Sequence, residues 1–551
     1  SAGTTDVSAN GKVVLTVDER VQLAECATAT LGSQQLKGVA AGKIVTFEYK
    51  GLDYATAYTF TLPANSVSDL TGNAVAEPIT LAFTTMTKPV VAKKLYDFII
   101  PDDGGLREAV AAAANRADKS SRFRIFVKKG SYKVPVTEAA TVTGSDGVAY
   151  NSVTTVLSAS GVSIIGEDMS ATVIENDVPY ALVNGQWGPA SPIEGIGKCD
   201  LLQITGTNTY LEDITLKNGT DDATGRNLAV QDKGNKTIYK NVMLGGYQDT
   251  WTSNNQSARY YFEDGIIRGR TDYICGKGDA FFNGVTFLNV GTGGYIAVPS
   301  QPKQYGWVFA NCTIKGETGD NDGNYTLGRP WGSGTPVALW INTRMESQPS
   351  AIGWSEMSGG WPARFAEYNS TTATGTVIDL SSRKTTFADT HTNNPVLTAE
   401  EAATYTIATV MGSTDDWNPT ALTEQASAPV NVKLTGSTLT WDDNDYVLLW
   451  AVVKDGKVVD FTTTPSYDVT DTKAKWAVRA ANEMGGLGEA TEATVSTGID
   501  EAMGQDAAIV STAWYTTDGR LVKMPQRGVN IKVSKYADGS VKTEKVILPK
   551  P

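Results

Sequence analysis

The chain has 551 residues, 47 Lys+Arg against 60 Asp+Glu for a net charge of −13, 54 glycines, four cysteines and a single histidine. That length exceeds one hydrophobic core and predicts three or four domains. The acidic balance without a basic patch excludes nucleic acid as a partner, and no apolar run reaches membrane-spanning length.

The histidine count is the most restrictive part of the composition. His391 lies in the polar turn Asp389-Thr-His-Thr-Asn-Asn394, which reads as surface. One histidine excludes a histidine-rich zinc site. With no Gly-x-Ser-x-Gly elbow to pair with it, a Ser-His-Asp hydrolase is excluded too. Any hydrolysis must therefore run on carboxylates. Cys26, Cys199, Cys275 and Cys312 are widely spaced and show no metal-ligand clustering; a single disulfide stays open. Abundant glycine and scarce helical periodicity indicate an all-β protein. The chain begins at Ser1 without a methionine, which suggests a removed signal peptide and a secreted, periplasmic or cell-surface protein.

Residues 1–87 alternate polar and apolar residues in short runs such as Val13–Val17, Ile44–Tyr49 and Tyr58–Leu62, separated by turns such as Thr71-Gly-Asn73. This pattern predicts a small β-sandwich, and the stretch Tyr58–Ala74 resembles bacterial Ig-like modules. Lys88–Lys94 reads as a linker. Asp102–Asn115 is the one clear helix, with an Asp/Gly start, an Ala-rich body, and Leu106, Val110 and Ala113 at helical spacing. Its expected place is as a cap on the first coil of an elongated sheet. Arg124–Tyr132 follows as a strand ending in a glycine turn.

From about 150 to 345 the chain repeats itself loosely. The segments Leu211-Glu-Asp-Ile-Thr-Leu216, Tyr239-Lys-Asn-Val-Met-Leu244, Phe262-Glu-Asp-Gly-Ile-Ile267, Phe282-Asn-Gly-Val-Thr-Phe287 and Phe309-Ala-Asn-Cys-Thr-Ile314 start 28, 23, 20 and 27 residues apart. One alternating strand per unit at such a period predicts a β-solenoid, with uneven loops that build a groove. Asp213, Asn241, Asp264 and Asn311, each third in its unit, are expected to stack as a turn ladder. Asp249 and Asp272 lie 23 residues apart, flanking the alternating run Arg259–Arg268. One coil between them would put the carboxylates on neighbouring rungs about 4.8 Å apart, a place for acid/base or nucleophilic chemistry.

Past 420 the pattern changes. Ala428–Trp441, Val447–Val453 and Trp476–Gly488 resemble a fibronectin type III sandwich over 425–498. The tail 499–551, with its hairpin pattern at Ala513–Ile531, resembles C-terminal sorting modules of the type IX export pathway.

Three segments carry a sharper resemblance: Tyr247-Gln-Asp-Thr250, Thr271-Asp-Tyr-Ile-Cys-Gly276 and Leu327-Gly-Arg-Pro-Trp331, in this order. They are similar to the motifs Tyr-Gln-Asp-Thr, Val-Asp-Phe-Ile-Phe-Gly and Leu-Gly-Arg-Pro-Trp of the pectin methylesterase (pectinesterase) family, over roughly 95–417. The resemblance implies a right-handed parallel β-helix, here with flanking β-sandwich domains. It implies hydrolysis of galacturonate methyl esters in pectin (methyl-esterified homogalacturonan), without a cofactor or metal; a monomer is expected. Asp272 would be the nucleophile and Asp249 the acid that protonates departing methanol, then the base that activates water. Arg329 would hold Asp272 ionised, and Gln248 would donate to the oxyanion. The family's second oxyanion glutamine lies 22 residues before Gln248, where this chain has Arg226. Arg226 could donate as a cation, or Asn227 or Gln231 could fill the role in a shifted register. Trp331 and Tyr273 are the expected sugar-stacking floor, with Trp251 and Trp354 as further candidates. Cys275, in place of a motif aromatic, reads as a buried small apolar residue.

A β-solenoid also suits a pectate lyase, which needs a calcium cluster of acidic side chains. Asp320-Asn-Asp-Gly-Asn324 suits that reading or a plain loop. A polygalacturonase would need a Gly-His-Gly element that is absent. A carbohydrate-binding adhesin with a decayed esterase solenoid is the non-enzymatic alternative, motivated by Arg226 and the flanking modules.

Overall fold

The protein is described here from a computed structural model covering residues 3–24, 27–135, 137–143, 149–152, 154–176, 180–182, 200–219, 226–318, 321–415, 417–496, 509–526, 528–537, 539 and 541–548. Cys26, Cys199, Asp320 and all of 497–508 lie outside these residues.

One short motif generates the central domain. In Leu211-Glu-Asp-Ile-Thr-Leu216 the apolar residues do not form a single strand. Tyr210–Glu212 and Thr215–Lys217 are two strands with Asp213 at φ +54° between them. The next unit repeats this with Thr237–Lys240, Asn241 at φ +47° and Met243–Gly245. Asp and Asn enter the left-handed region at little cost because their short polar side chains bond locally. Here they also stack, Asn241 Nδ2 donating to Asp213 Oδ1 at 2.6 Å. A third strand, Val230–Asp232 in one coil and Trp251–Ser253 in the next, completes each turn. The expectation of one strand per unit is thus corrected to three, because the third-position Asp or Asn is a corner and not part of a strand.

Stacked coils give three parallel sheets of ten, nine and seven strands, from Phe98–Ile100 to Thr371–Thr372. This is a parallel β-helix. The first residue of each repeat points inward, and successive coils superpose it. Tyr239, Phe262, Phe282, Phe309 and Trp340 form a continuous ring stack with centroids 4.3, 4.6, 4.6 and 3.9 Å apart. The helix runs Leu106–Asn115, starting at an N-cap Gly105 whose N–H donates to Glu108 Oε2. Leu106, Ala109, Val110 and Ala113 enter the same core as Phe98, Ile125 and Leu157, closing the first coil. Three further short helices, Ala399–Thr404, Ile407–Met411 and Pro419–Thr423, lack a periodic signal in the sequence. Their segment is pinned to the solenoid flank where buried Arg259 donates to both oxygens of Asp415.

At the N-terminus a seven-stranded sheet and a two-stranded one surround Val13, Leu31, Phe47 and Phe60. Between Lys433 and Ser496 the chain forms two four-stranded sheets, with Trp441 edge-on to Trp450 at 5.8 Å. Residues 509–548 form a separate four-stranded antiparallel sheet.

Candidate active site

The seven-stranded sheet carries the candidate residues. Gln248 bridges Arg226 on one side and Thr271 on the other, and Trp251 pairs with Ile274. Between those two pairings the register leaves Asp249 beside Asp272 on the next coil. Both have positive φ, +57° and +50°, a shared kink that turns each carboxylate out of the ladder. Downstream the ladder slips: Thr271 faces Tyr295 but Ile274 faces Ala297, so two residues, Asp272 and Tyr273, oppose Ile296 alone. Such a bulge re-aims side chains. Tyr273 goes to the core and Asp272 to the outer face.

The carboxylates are shielded, with 4% of Asp249 and 7% of Asp272 exposed. Arg329 donates from Nε to Asp272 Oδ1 at 2.9 Å and from Nη2 to Oδ2 at 2.6 Å. This two-point contact fixes the carboxylate in plane as well as neutralising it. Asp249 meets a second guanidinium, with Arg226 Nε 3.2 Å from its Oδ2. Burial pushes Asp249 up to about 7, with Arg226 pulling down and the Asp272 charge adding to the rise. Burial also raises Asp272, opposed at short range by Arg329. The pair is therefore asymmetric: one carboxylate clamped by a bidentate cation, the other able to hold a proton near neutral pH. A nucleophile beside a proton donor is what such a pair can provide.

The other expected residues divide by burial. Trp331, 38% exposed, presents its ring to solvent beside Arg329 in sequence, as a stacking surface requires. Tyr273 and Trp251 do not. Both are fully buried. The Tyr273 hydroxyl donates to Asn289 Oδ1, and Trp251 stands edge-on to Tyr260, Phe262 and Phe282. Their expected role as a sugar floor is corrected to core packing, because on this sheet every second side chain turns inward. Trp354 is buried for the same reason, stacked on Phe365. Of the alternatives for the upstream donor, Gln231 is buried and accepts from Gln203 Nε2 at 2.9 Å. Asn227 is also buried, and its Oδ1 accepts the Tyr247 and Gln248 backbone N–H groups, bracing the chain just before Asp249. Both are withdrawn from solvent, whereas Arg226 is two-fifths exposed. Gln248 is half-buried beside Asp249.

Cys275 is buried, and burial pushes its thiol well up, away from the thiolate. His391 is half-buried, its ring flat on Trp361 at 3.6 Å. Asn321 and Asp322 serve loop structure, Asp322 Oδ1 accepting from the Gln348 N–H. Among the described residues no three His, Cys, Asp or Glu side chains are grouped to hold a metal ion.

Two braces are not legible as such in the sequence: Asn227, which spacing offers only as an oxyanion donor, and Tyr295, whose ring centroid lies 3.8 Å from the Arg329 guanidinium carbon. Their only signal is register, which depends on knowing where each coil closes.

Comparison with known proteins identifies the family of the central domain. The family model described as Pectinesterase matches residues 99–414, and that described as Bacterial Ig-like domain matches residues 1–85. Probable pectinesterase A of Neosartorya fischeri is 34% identical over 143 residues, 25% of this chain and 42% of that protein. Pectinesterase of Ralstonia solanacearum is 30% identical over 207 residues, 31% of this chain and 51% of its own length. The chain spans about half the length of the curated relatives it matches. Among solved structures, pectin methylesterase PemA from Erwinia chrysanthemi aligns over 59% of this chain and 99% of its own, at 22% identity and a TM-score of 0.44. With the matched span covering more than half of its residues and enclosing both aspartates, the chain belongs to the pectinesterase family.

Proposed function

We propose that the protein is a pectin methylesterase, hydrolysing galacturonate methyl esters of homogalacturonan to pectate and methanol outside the cytoplasm, as a monomer. The observation that carries this reading is the asymmetric pair: Asp272 held by two hydrogen bonds from Arg329, next to Asp249 with a proton affinity near neutral. In this mechanism an Asp272 oxygen attacks the ester carbonyl carbon. The Gln248 amide is the donor to the oxyanion that forms. As the tetrahedral intermediate collapses, the Asp249 proton passes to the methoxy oxygen and methanol departs, leaving an acyl–Asp272 anhydride. Asp249, now a carboxylate, takes a proton from water. The resulting hydroxide attacks the acyl carbon and expels the Asp272 carboxylate, freeing galacturonic acid, which loses its proton to solvent, with both aspartates restored. Trp331 offers an apolar ring face for a sugar ring.

Arg226 has a distinct part in this scheme. Where a neutral amide would only donate, a guanidinium 3.2 Å from Asp249 also stabilises the carboxylate that appears once the proton has left. The Ig-like module at residues 1–85 suits an attachment or spacing role in a protein that works on cell walls.

The test is methanol release from methylated pectin by the full chain, alongside Asp272→Ala and Asp249→Ala. Each variant should lose roughly three or more orders of magnitude in turnover with its circular dichroism unchanged. Near-wild-type activity in either would refute the assigned roles. Unsaturated, ultraviolet-absorbing products would indicate a lyase, and pectin binding without methanol at any pH would indicate an adhesin.

A further inference from the structure

We propose that Tyr295 is a positioning residue of this site: its ring is the bed that holds the Arg329 guanidinium flat and aimed, so that Arg329 can clamp a carboxylate two coils away. The proposal rests on the reading of Asp272 as the nucleophile. Asp272 lies in the strand Thr271–Gly276, Tyr295 opens the strand Tyr295–Pro299 on the next coil, and Arg329 follows Thr326–Gly328 on the coil after that. The ladder pairs Thr271 with Tyr295 and Tyr295 with Thr326, so Tyr295 stands on the rung between acid and base. Two rungs are about 9.6 Å, a span that Arg329 must cross along its side chain. A long flexible arm crossing a gap loses its aim unless something fixes its plane.

Tyr295 supplies that plane. The guanidinium carbon lies 3.8 Å from the ring centroid, face contact, while Nε and Nη2 on one edge reach Asp272. Ring and carboxylate thus hold the guanidinium on its face and its edge, a pre-set fork for two parallel hydrogen bonds. The ring is itself anchored. The Tyr295 N–H donates to Arg270 O at 2.9 Å, two residues before Asp272. The preceding Gly294 (φ +100°) lets the chain come close enough for this; a Cβ there would lie 2.1 Å from the same Arg270 oxygen. The half-buried Tyr295 is therefore tied by backbone to the coil of the nucleophile and by its ring to the arginine that orients it. In this arrangement the face of the ring acts and the hydroxyl does not.

The experiment compares Tyr295→Leu and Tyr295→Phe in the full chain. Leucine keeps apolar bulk and removes the aromatic face; phenylalanine keeps the face. The first readout is the pH profile of methanol release from pectin. Tyr295→Leu should lower kcat about tenfold or more with KM little changed, and should move the acid limb to higher pH as the clamp on Asp272 loosens. Tyr295→Phe should recover both. The second readout needs no turnover: carboxyl ¹³C titration of Asp272, assigned against Asp272→Asn, should shift upward in Tyr295→Leu and not in Tyr295→Phe. If wild type releases no methanol but the titration moves as stated, the esterase reading falls and the positioning role stands. If neither kcat nor the Asp272 titration moves in Tyr295→Leu, or if Tyr295→Phe is as impaired as Tyr295→Leu, the positioning role is overturned.

Discussion

Arg226 and Arg329 are the same residue type on the same face, and the difference in their contacts sets the chemistry. Arg329 makes hydrogen bonds of 2.9 and 2.6 Å to the two oxygens of Asp272, whereas Arg226 is two-fifths exposed and its Nε lies 3.2 Å from Asp249. A carboxylate gripped at both oxygens by short bonds is kept ionised more firmly than one facing a longer contact to a more solvated cation. The sign of the pH dependence follows. In the proposed mechanism turnover needs Asp272 ionised and Asp249 protonated, so activity should fall on the acid side at a pH above the ordinary aspartate value, because burial raises Asp272. On the alkaline side it should fall as Asp249 loses its proton near pH 7. Arg226 lowers both aspartates, as the leading opposing charge on Asp249 and the least of the causes on Asp272, so Arg226→Gln should move the alkaline limb to higher pH and the acid limb less far in the same direction. A pH series of kcat for methanol release checks this, and an alkaline limb that stays put or moves downward would contradict it.

The coil is the element that makes the site possible, and its regularity comes from the inside. The five-ring stack from Tyr239 to Trp340 crosses the coils that carry Asp249, Asp272 and Arg329, and every ring in it is almost fully buried. Phe309 is central to its downstream half, 4.6 Å from Phe282 and 3.9 Å from Trp340. Phe309→Ala should therefore cost the solenoid about 3–5 kcal/mol by lost burial and a residual cavity. This should appear as a lower denaturation midpoint for the solenoid transition. An unchanged midpoint would mean the coils are held by their ladders alone. The same inward order explains why aromatic content misleads about the site. Trp251, Trp354 and Tyr273 look like sugar platforms in the sequence, yet a parallel coil needs large rings inside, and only Trp331, in an irregular loop, escapes to the surface.

For the whole molecule the dominant physical quantity is charge. Under the proposed activity the product is a polyanion, which a chain of net −13 repels, and repulsion is felt most where salt is scarce. Inhibition by added pectate should thus strengthen as salt rises from about 10 mM to about 150 mM, over which the screening length falls from about 30 Å to about 8 Å. Initial-rate measurements with and without pectate decide it; inhibition that weakens with salt would show that local cations outweigh the global field.

How much of this was legible beforehand differs by feature. The 23-residue interval between Asp249 and Asp272, the first-position aromatics and the third-position Asp and Asn all follow from the sequence, because a solenoid repeats locally and each coil contacts its neighbours. The lone histidine, likewise, already confined hydrolysis to carboxylates. What only the tertiary structure decided was direction and register. Three strands per coil, the bulge that sends Tyr273 inward and Asp272 outward, the withdrawal of Asn227 and Gln231, and the ring of Tyr295 under Arg329 each depend on a one-residue shift between coils. A shift of one residue reverses which face a side chain occupies, and loops of uneven length between strands conceal that shift from any reading of spacing alone.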